Sequence, residues 1–523
     1  MAEIRISDIP VKEYKLIHAD TPAQQYAADE LCSYFSKICG EIPAGNDDSH
    51  TITLEVNPEE LVHDGYRMAN AGGKLVITGG SERGLLYGVY AFLENKLGVR
   101  FFMPDTEELG NGGNIGDFEE AFNPPFEFRQ SDWVCGNDLE WSVKNRINNR
   151  ACPEKLGGYV KWGGFVHTMH DILGTDYDKQ PCLSDPANLE RAIAYVHKRL
   201  KGDPSINIVS VSQNDNQNYC KCPKCAAVDA EEGSHMGTLL RFVNGVADSI
   251  KDEYPDVAID TLAYQYTRNV PHITKPRDNV NIRLCSIECC FSHPLSDNTC
   301  ERNAAFIRDI EEWNKICHRL YIWDYVTDFS YYIPTFPNFG VLRENMHFFA
   351  QHGVTGMYPE GNYNTNSGEF GELRCYLLAK LMYDPNMSET EYQRHMDEFL
   401  AGYYGEGWRY IRAYLDLAVS ACKRVHMSIW SNPFDIIDRA TYEALYDTID
   451  AWWDQAEALA GDKLDHVKKS RLQWTYIALM VRPDAEKGKA FFEEVKARNI
   501  NFNEWRKTTK EPDFSLPTDK WDF

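Results

Sequence analysis

The chain has 523 residues, with 79 acidic against 54 basic side chains and a formal net charge of −25. That length exceeds one ordinary core, so two or three domains are expected. The absence of a basic face excludes a nucleic-acid binder, and no run of about eighteen apolar residues is present to span a membrane.

Residues 1 to about 120 read as a small accessory α/β domain. YKLIH (14–18), TITLEV and KLVITGG are short strands, and two helices lie between and after them. The first helix is capped by Thr21, opens on Pro22 and stops at Gly40, with Ala27, Leu31, Tyr34, Phe35 and Ile38 on one stripe. The second repeats that grammar: Ser81 caps it, Leu86, Val89, Tyr90, Leu93 and Leu97 face inward, and Gly98 ends it. This region concentrates no catalytic side chains, so its expected role is support.

Residues 121–375 carry eight candidate strands, beginning at Phe126, Asn145, Gly164, Ile206, Val257, Val280, Arg319 and Val354. Several are near-continuous apolar runs, which suits parallel strands buried on both faces. With helical patterns between many of them, they predict a (β/α)8 TIM barrel, an α/β fold in which the second strand has the weakest signal. From 376 to 523 the chain reads as a helical C-terminal region, entered through a capping box of Ser388 and Glu391. The last dozen residues read as a loose tail.

In such a barrel the active site lies where strands end. The third strand brings His167 and His170 there, the fourth Gln213, Asn214, Asp215 and Asn216, and the fifth Tyr264, Gln265 and Tyr266. The sixth brings Glu288 and His293, the seventh Trp323, Asp324 and Tyr325, and the eighth Tyr358 and Glu360. Carboxylates from four strands, interleaved with aromatics and amides, suit glycosidic bond cleavage. One acid protonates the leaving oxygen and a second carboxylate attacks, activates water or stabilises the oxocarbenium-like state. A strand-end Asp taken alone is more often a turn or cap residue, so the convergence carries the reading.

The stretches RGLLYGVYAFLENKLGVRFFMPD, QNDNQNYCKCPKC, CSIECCFSHPL, LYIWDY and MYPEGNYN resemble a large bacterial family long described as a domain of unknown function, part of which is classed as glycoside hydrolase family 163. The resemblance runs from about residue 20 to about 420. The N-terminal region also resembles the accessory domain preceding the barrel in α-glucuronidases and β-hexosaminidases. What this implies is a (β/α)8 glycosidase akin to endo-β-N-acetylglucosaminidases that cut the N-glycan core. Substrate-assisted β-hexosaminidases place two adjacent carboxylates after strand four. Here Asn214–Asp215 stands there, which weakens substrate assistance, although Asn214 could hold an acetamide. The α-glucuronidase layout fits Asp215, Glu288 and Asp324 better.

The expectation is therefore Asp215 as general acid and Glu288 as its partner, with Asp324 and Glu360 as substrate-binding or alternative catalytic groups. Gln213, Asn214, Asn216, His167, Tyr264, Tyr266, His293, Trp323, Tyr325 and Tyr358 are expected to bind a carbohydrate substrate. The alternatives are a catalytically silent carbohydrate-binding barrel and an α-glucuronidase-like exo-enzyme, for which Arg268 or Arg283 would have to meet the uronate.

Fifteen scattered cysteines read as free thiols. Cys220, Cys222 and Cys225, with His235, could form a zinc site, but one C-x-x-C unit and Pro223 favour a tight loop instead. No nucleotide motif appears and no cofactor is expected. The opening MAEIRISDIP has no apolar h-region, which reads as cytoplasmic for the chain as given; an exported chain trimmed of its leader would look the same. A homo-oligomer is compatible with the acidic helical region.

Overall fold

The computed structural model describes residues 3–522. The chain divides into two compact units: the first comprises residues up to 159, 326–343 and those from 360 onward, and the second 160–325 with 344–359. The expected barrel range is thus shared between them.

The first unit opens with β1 (Lys15–Ile17), α1 (Pro22–Cys39), β2 (Thr51–Val56), β3 (Tyr66–Ala71), β4 (Lys74–Gly79), α2 (Glu82–Leu97) and β5 (Phe118–Phe122). The five strands form one sheet in the order β5-β3-β4-β2-β1. Both helices follow their sequence signals. Thr21 Oγ1 accepts from Gln24 N and Gly40 takes the left-handed conformation, φ 77°. Ser81 likewise accepts from Gly84 N, and Gly98 ends α2. Leu86, Val89, Tyr90, Leu93 and Leu97 are buried against the sheet, each contributing roughly 1.5–3 kcal/mol of apolar burial. Beneath them Asp64 accepts from Arg83, Arg129 and Asn148 in a fully enclosed network, and the two guanidiniums hold its carboxyl well below the usual range against the opposing cost of burial.

The second unit contains α3 (Pro186–Gly202), β6 (Ile208–Ser210), α4 (Pro223–Glu232), α5 (His235–Ile250), β7 (Ala258–Ala263), β8 (Val280–Cys285), α6 (Ala304–Asn314), β9 (Leu320–Tyr325), most of α7 (Leu342–Gln351) and β10 (Val354–Glu360, its last residue counted with the first unit). These strands lie side by side in the order β10-β9-β8-β7-β6, with parallel pairing from β6 to β9. Every residue of β7, β8 and β9 is buried, as parallel strands covered on both faces require.

The fold is a mixed α/β protein with a curled parallel half-barrel sheet, a coarser architecture than the expected closed barrel. The Asn145 stretch forms no strand; it follows a short helix, Leu139–Lys144. The Gly164 stretch forms no strand: one parallel bridge, Trp162 to Ile208, lies just before it, and the stretch itself is loop running into a short helix. The Phe126 stretch yields a two-residue strand, Phe128–Arg129.

The chain closes in the first unit with α8 (Gly371–Tyr383), α9 (Glu389–Tyr404), α10 (Trp408–Cys422), α11 (Arg439–Leu459), α12 (Leu464–Val481) and α13 (Ala485–Ala497). The Ser388–Glu391 capping box forms as expected. The expected loose tail does not: Trp521 is 2% exposed and its ring packs on Phe491, Phe502 and Phe514. No helix among the described residues is long and apolar enough to cross a membrane.

Candidate active site

Alternation along the parallel strands sorts the candidates by face. Arg283 pairs in register with Tyr321, and Cys285 with Trp323. The Arg283 guanidinium lies 4.9, 4.4 and 5.2 Å from the ring centres of Trp162, Phe165 and Trp323 and bonds Asp260 at 2.7 Å. This inner face continues into β10, where an added Cβ on Gly356 would meet the Tyr321 ring at 2.7 Å. Tyr358 packs edge-on against Phe165 and Trp323, with centroids at 5.1 and 4.5 Å, and Tyr325 stacks along Trp323. Three expected sugar-binding aromatics, Trp323, Tyr325 and Tyr358, therefore share one cluster, each less than one-tenth exposed.

The same alternation sends Asp324 to the opposite face. There its Oδ1 accepts from Ser286 Oγ at 2.6 Å, and burial pushes its pKa up to about 6. Asp324 is adjacent in sequence to the aromatic cluster but faces away from it.

Asp215 lies beyond β6, exposed. The Tyr264 phenol stands near its carboxylate: burial, followed by the Asp215 charge, pushes that phenol well up. Gln265 Nε2 donates to the same phenol oxygen at 2.8 Å. The Tyr177 hydroxyl is also near Asp215: burial, followed by the Asp215 charge, raises it. His167 closes the group, its ring centre 6.4 Å from that of Tyr264 and 6.5 Å from that of Tyr177. Burial draws the imidazole below its ordinary value, against the Gln213 carbonyl and the Asp215 charge, which pull the other way. His167 and Gln265 both adopt left-handed backbone, φ 52° and 51°, a conformation costing roughly 1–3 kcal/mol that tends to cluster at functional sites.

The amides around Asp215 are spent on holding its loop. Asn214 Oδ1 accepts from His170 N, Asn214 Nδ2 donates to Lys179 O, and Asn214 N donates to Gln180 Oε1. Gln180 Nε2 in turn donates to the carbonyls of Asn214 and Asn216. Asn216 Nδ2 reaches Tyr177 O, and Gln213 Nε2 reaches Thr267 Oγ1 at 2.7 Å. Asn214, Asn216 and Gln213 thus brace the loop rather than pointing free hydrogen-bonding groups at a ligand, while Gln213 Oε1 is buried without a partner.

The remaining candidates each have neighbours of their own. Glu288 is half exposed and paired to Arg268 at 2.7 Å; Arg268 also holds Asp309 at 2.6 Å. His293 Nδ1 lies 3.3 Å from Cys290 Sγ. Tyr266 stacks on Tyr219 at 5.3 Å, beside the cysteine loop. His170 lies on a short helix, Met169–Leu173, and packs edge-on against Tyr177 at 4.9 Å. Glu360, in the first unit, is half-buried and adds its charge to the burial that pushes Tyr363 up to about 12. Both arginines that a uronate-binding reading could use carry ion pairs, Arg283 with Asp260 and Arg268 with two acids.

Tyr177, Gln180, Asp260 and Ser286 were not expected from the sequence. Asp260 carried a usable signal, a carboxylate inside the apolar run VAIDTLAY; the other three sit in stretches without one.

No curated protein matches the chain. Solved structures similar to it include a GH138 enzyme targeting pectin rhamnogalacturonan II, at 8% identity and TM-score 0.47, covering 96% of this chain and 76% of that one. Another is a mutant Streptomyces plicatus beta-hexosaminidase in complex with product (GlcNAc), at 11% identity and TM-score 0.45, covering 77% and 92%. The domain model described as "Domain of unknown function (DUF4838)" matches residues 114–416, more than half of the chain, which therefore belongs to the DUF4838 family.

Proposed function

We propose that this protein is a glycoside hydrolase acting on N-acetylglucosamine-containing, N-glycan-like glycans, with Asp215 as general acid and Glu288 as the partner carboxylate. The observation that carries the reading is the setting of Asp215. Its accessible carboxyl stands beyond a parallel strand, beside the Tyr264 and Tyr177 hydroxyls and the His167 ring, on a loop immobilised by Asn214, Asn216 and Gln180. A fixed acid at a sheet's carboxyl end is what protonation of a leaving glycosidic oxygen needs. Glu288, ion-paired to Arg268, supplies the charged partner that attacks or activates water. The glycan class follows from the motif resemblance to glycoside hydrolase family 163. Glu360 stays in the proposal as a substrate-binding or alternative catalytic group, and Asp324 as a supporting residue.

Two observations favour a second reading, a carbohydrate-binding protein without turnover: Asp324 faces away from the aromatic cluster, and Glu288 is already paired. The two readings separate when the protein and its Asp215→Asn and Glu288→Gln variants are incubated with N-glycoproteins, chitooligosaccharides and uronate-bearing oligosaccharides and released sugars are read by mass spectrometry. Release by the wild type alone supports the hydrolase. Binding without release supports the second reading, and equal release by both variants removes Asp215 and Glu288 from the chemistry.

A further inference from the structure

Four cysteines from two separate segments meet beside the Asp215 loop. The sulfurs of Cys182, Cys220, Cys222 and Cys225 all lie within 4.8 Å of one another. Cys182 Sγ is 3.7 Å from Cys222 Sγ and 3.8 Å from Cys225 Sγ. A tetrahedral tetrathiolate with metal–sulfur bonds of about 2.3 Å has sulfur–sulfur edges of about 3.8 Å. A disulfide would require about 2.05 Å, so these spacings suit four ligands around a central ion rather than bonded pairs.

The local backbone is shaped for the same purpose. Cys222 caps the ten-residue helix α4, and Cys225 N donates to Cys222 Sγ at 3.4 Å. An N–H donor directed at sulfur, together with the positive end of the helix dipole, favours a thiolate there. Asn188 Nδ2 donates to the Cys182 carbonyl at 2.8 Å, setting the second segment in place. Lys221 and Lys224 flank the cluster in sequence and offset the net negative charge of four thiolates around a divalent ion.

We propose that Cys182, Cys220, Cys222 and Cys225 bind one structural zinc ion. His235, the fourth ligand that the sequence offered for a zinc site, is not part of the cluster: Cys182 occupies the fourth place, and His235 Nδ1 bonds Asp229 Oδ2 at 2.6 Å. The zinc joins the 182 segment to the loop following β6. Cys182 lies two residues from Gln180, whose side chain bridges Asn214 and Asn216. The ion therefore fastens both segments that frame Asp215, and its closed set of four sulfurs leaves no position for a substrate.

The test is metal content by inductively coupled plasma mass spectrometry on the full chain, purified with reductant and dialysed against metal-free buffer. One zinc per chain is expected, retained in His235→Ala and lost in Cys182→Ser. Replacement by cobalt(II) should give the intense visible bands of a tetrahedral tetrathiolate. Wild-type protein that holds no zinc and takes up none on titration overturns the proposal, with no variant needed. So does iron in place of zinc, or intact-mass loss of two hydrogens per cysteine pair, which marks disulfides.

Discussion

Ser286 Oγ donates to Asp324 Oδ1 across 2.6 Å on the sheet face opposite Trp323 and Tyr325. Because burial raises the Asp324 pKa to about 6, native Asp324 stays protonated over a pH range in which the unfolded chain has already ionised. The stability associated with that proton is complete below about pH 4 and is lost as pH rises through 6, a change of about 3 kcal/mol. Asp324→Asn should remove this dependence, so that its melting temperature relative to the wild type rises between pH 4 and pH 8. Turnover should persist within a few-fold, and its abolition would return Asp324 to the catalytic set.

Asp215→Asn should lower kcat by about 10²–10⁴-fold, the usual contribution of a positioned acid, with little change in melting temperature because the side chain is exposed. Tyr264→Phe removes the phenol beside that carboxylate and should act in the same direction but more weakly. Steady-state kinetics on the substrate found by glycan release check both, and an unchanged kcat in Asp215→Asn would sink the assignment.

Asn214→Ala deletes the side-chain bonds to His170 N and Lys179 O. The 176–180 segment should then exchange amide hydrogens faster and become open to proteolysis, while the strands keep their protection. Hydrogen-exchange mass spectrometry separates this from global destabilisation, which would raise exchange everywhere.

Asp260→Asn should destabilise the protein by roughly 3–5 kcal/mol, because it leaves the Arg283 guanidinium buried without its counter-charge. Both side chains are fully enclosed, so solvent cannot compensate. Denaturant unfolding provides the measurement, and a loss below about 1 kcal/mol would contradict the ion pair.

Much of the local structure was legible. Thr21, Gly40, Ser81, Gly98 and Ser388 set helix ends through contacts spanning a few residues, so the sequence carries them directly. Strand faces were not. LYIWDY is buried at every position, and an all-buried strand loses the hydrophobic alternation that would tell which side Asp324 takes. Register with the neighbouring strand supplies that information. The sheet gains no strand at Asn145 or Gly164, where polar and apolar runs resemble strands but the backbone is loop. Cys182 escaped because it lies far from the CKCPKC run, and the Trp521 anchor because its aromatic partners lie in α13 and the loop beyond it.

The Gln180 clamp has a consequence for how the molecule folds. Its bonds to Asn214 and Asn216 close over 34 and 36 residues, bracketing α3 and β6 and drawing on no other strand. Loop closure at that separation is inexpensive and grows slowly with length, and contacts of low sequence separation form quickly. The Gln180 part of the Asp215 setting can therefore close within a single helix–strand unit, while Tyr264 and Thr267 join it from beyond β7. Destabilising substitutions in β8 or β9 should slow folding of the sheet while leaving the early protection of the Gln180 clamp intact.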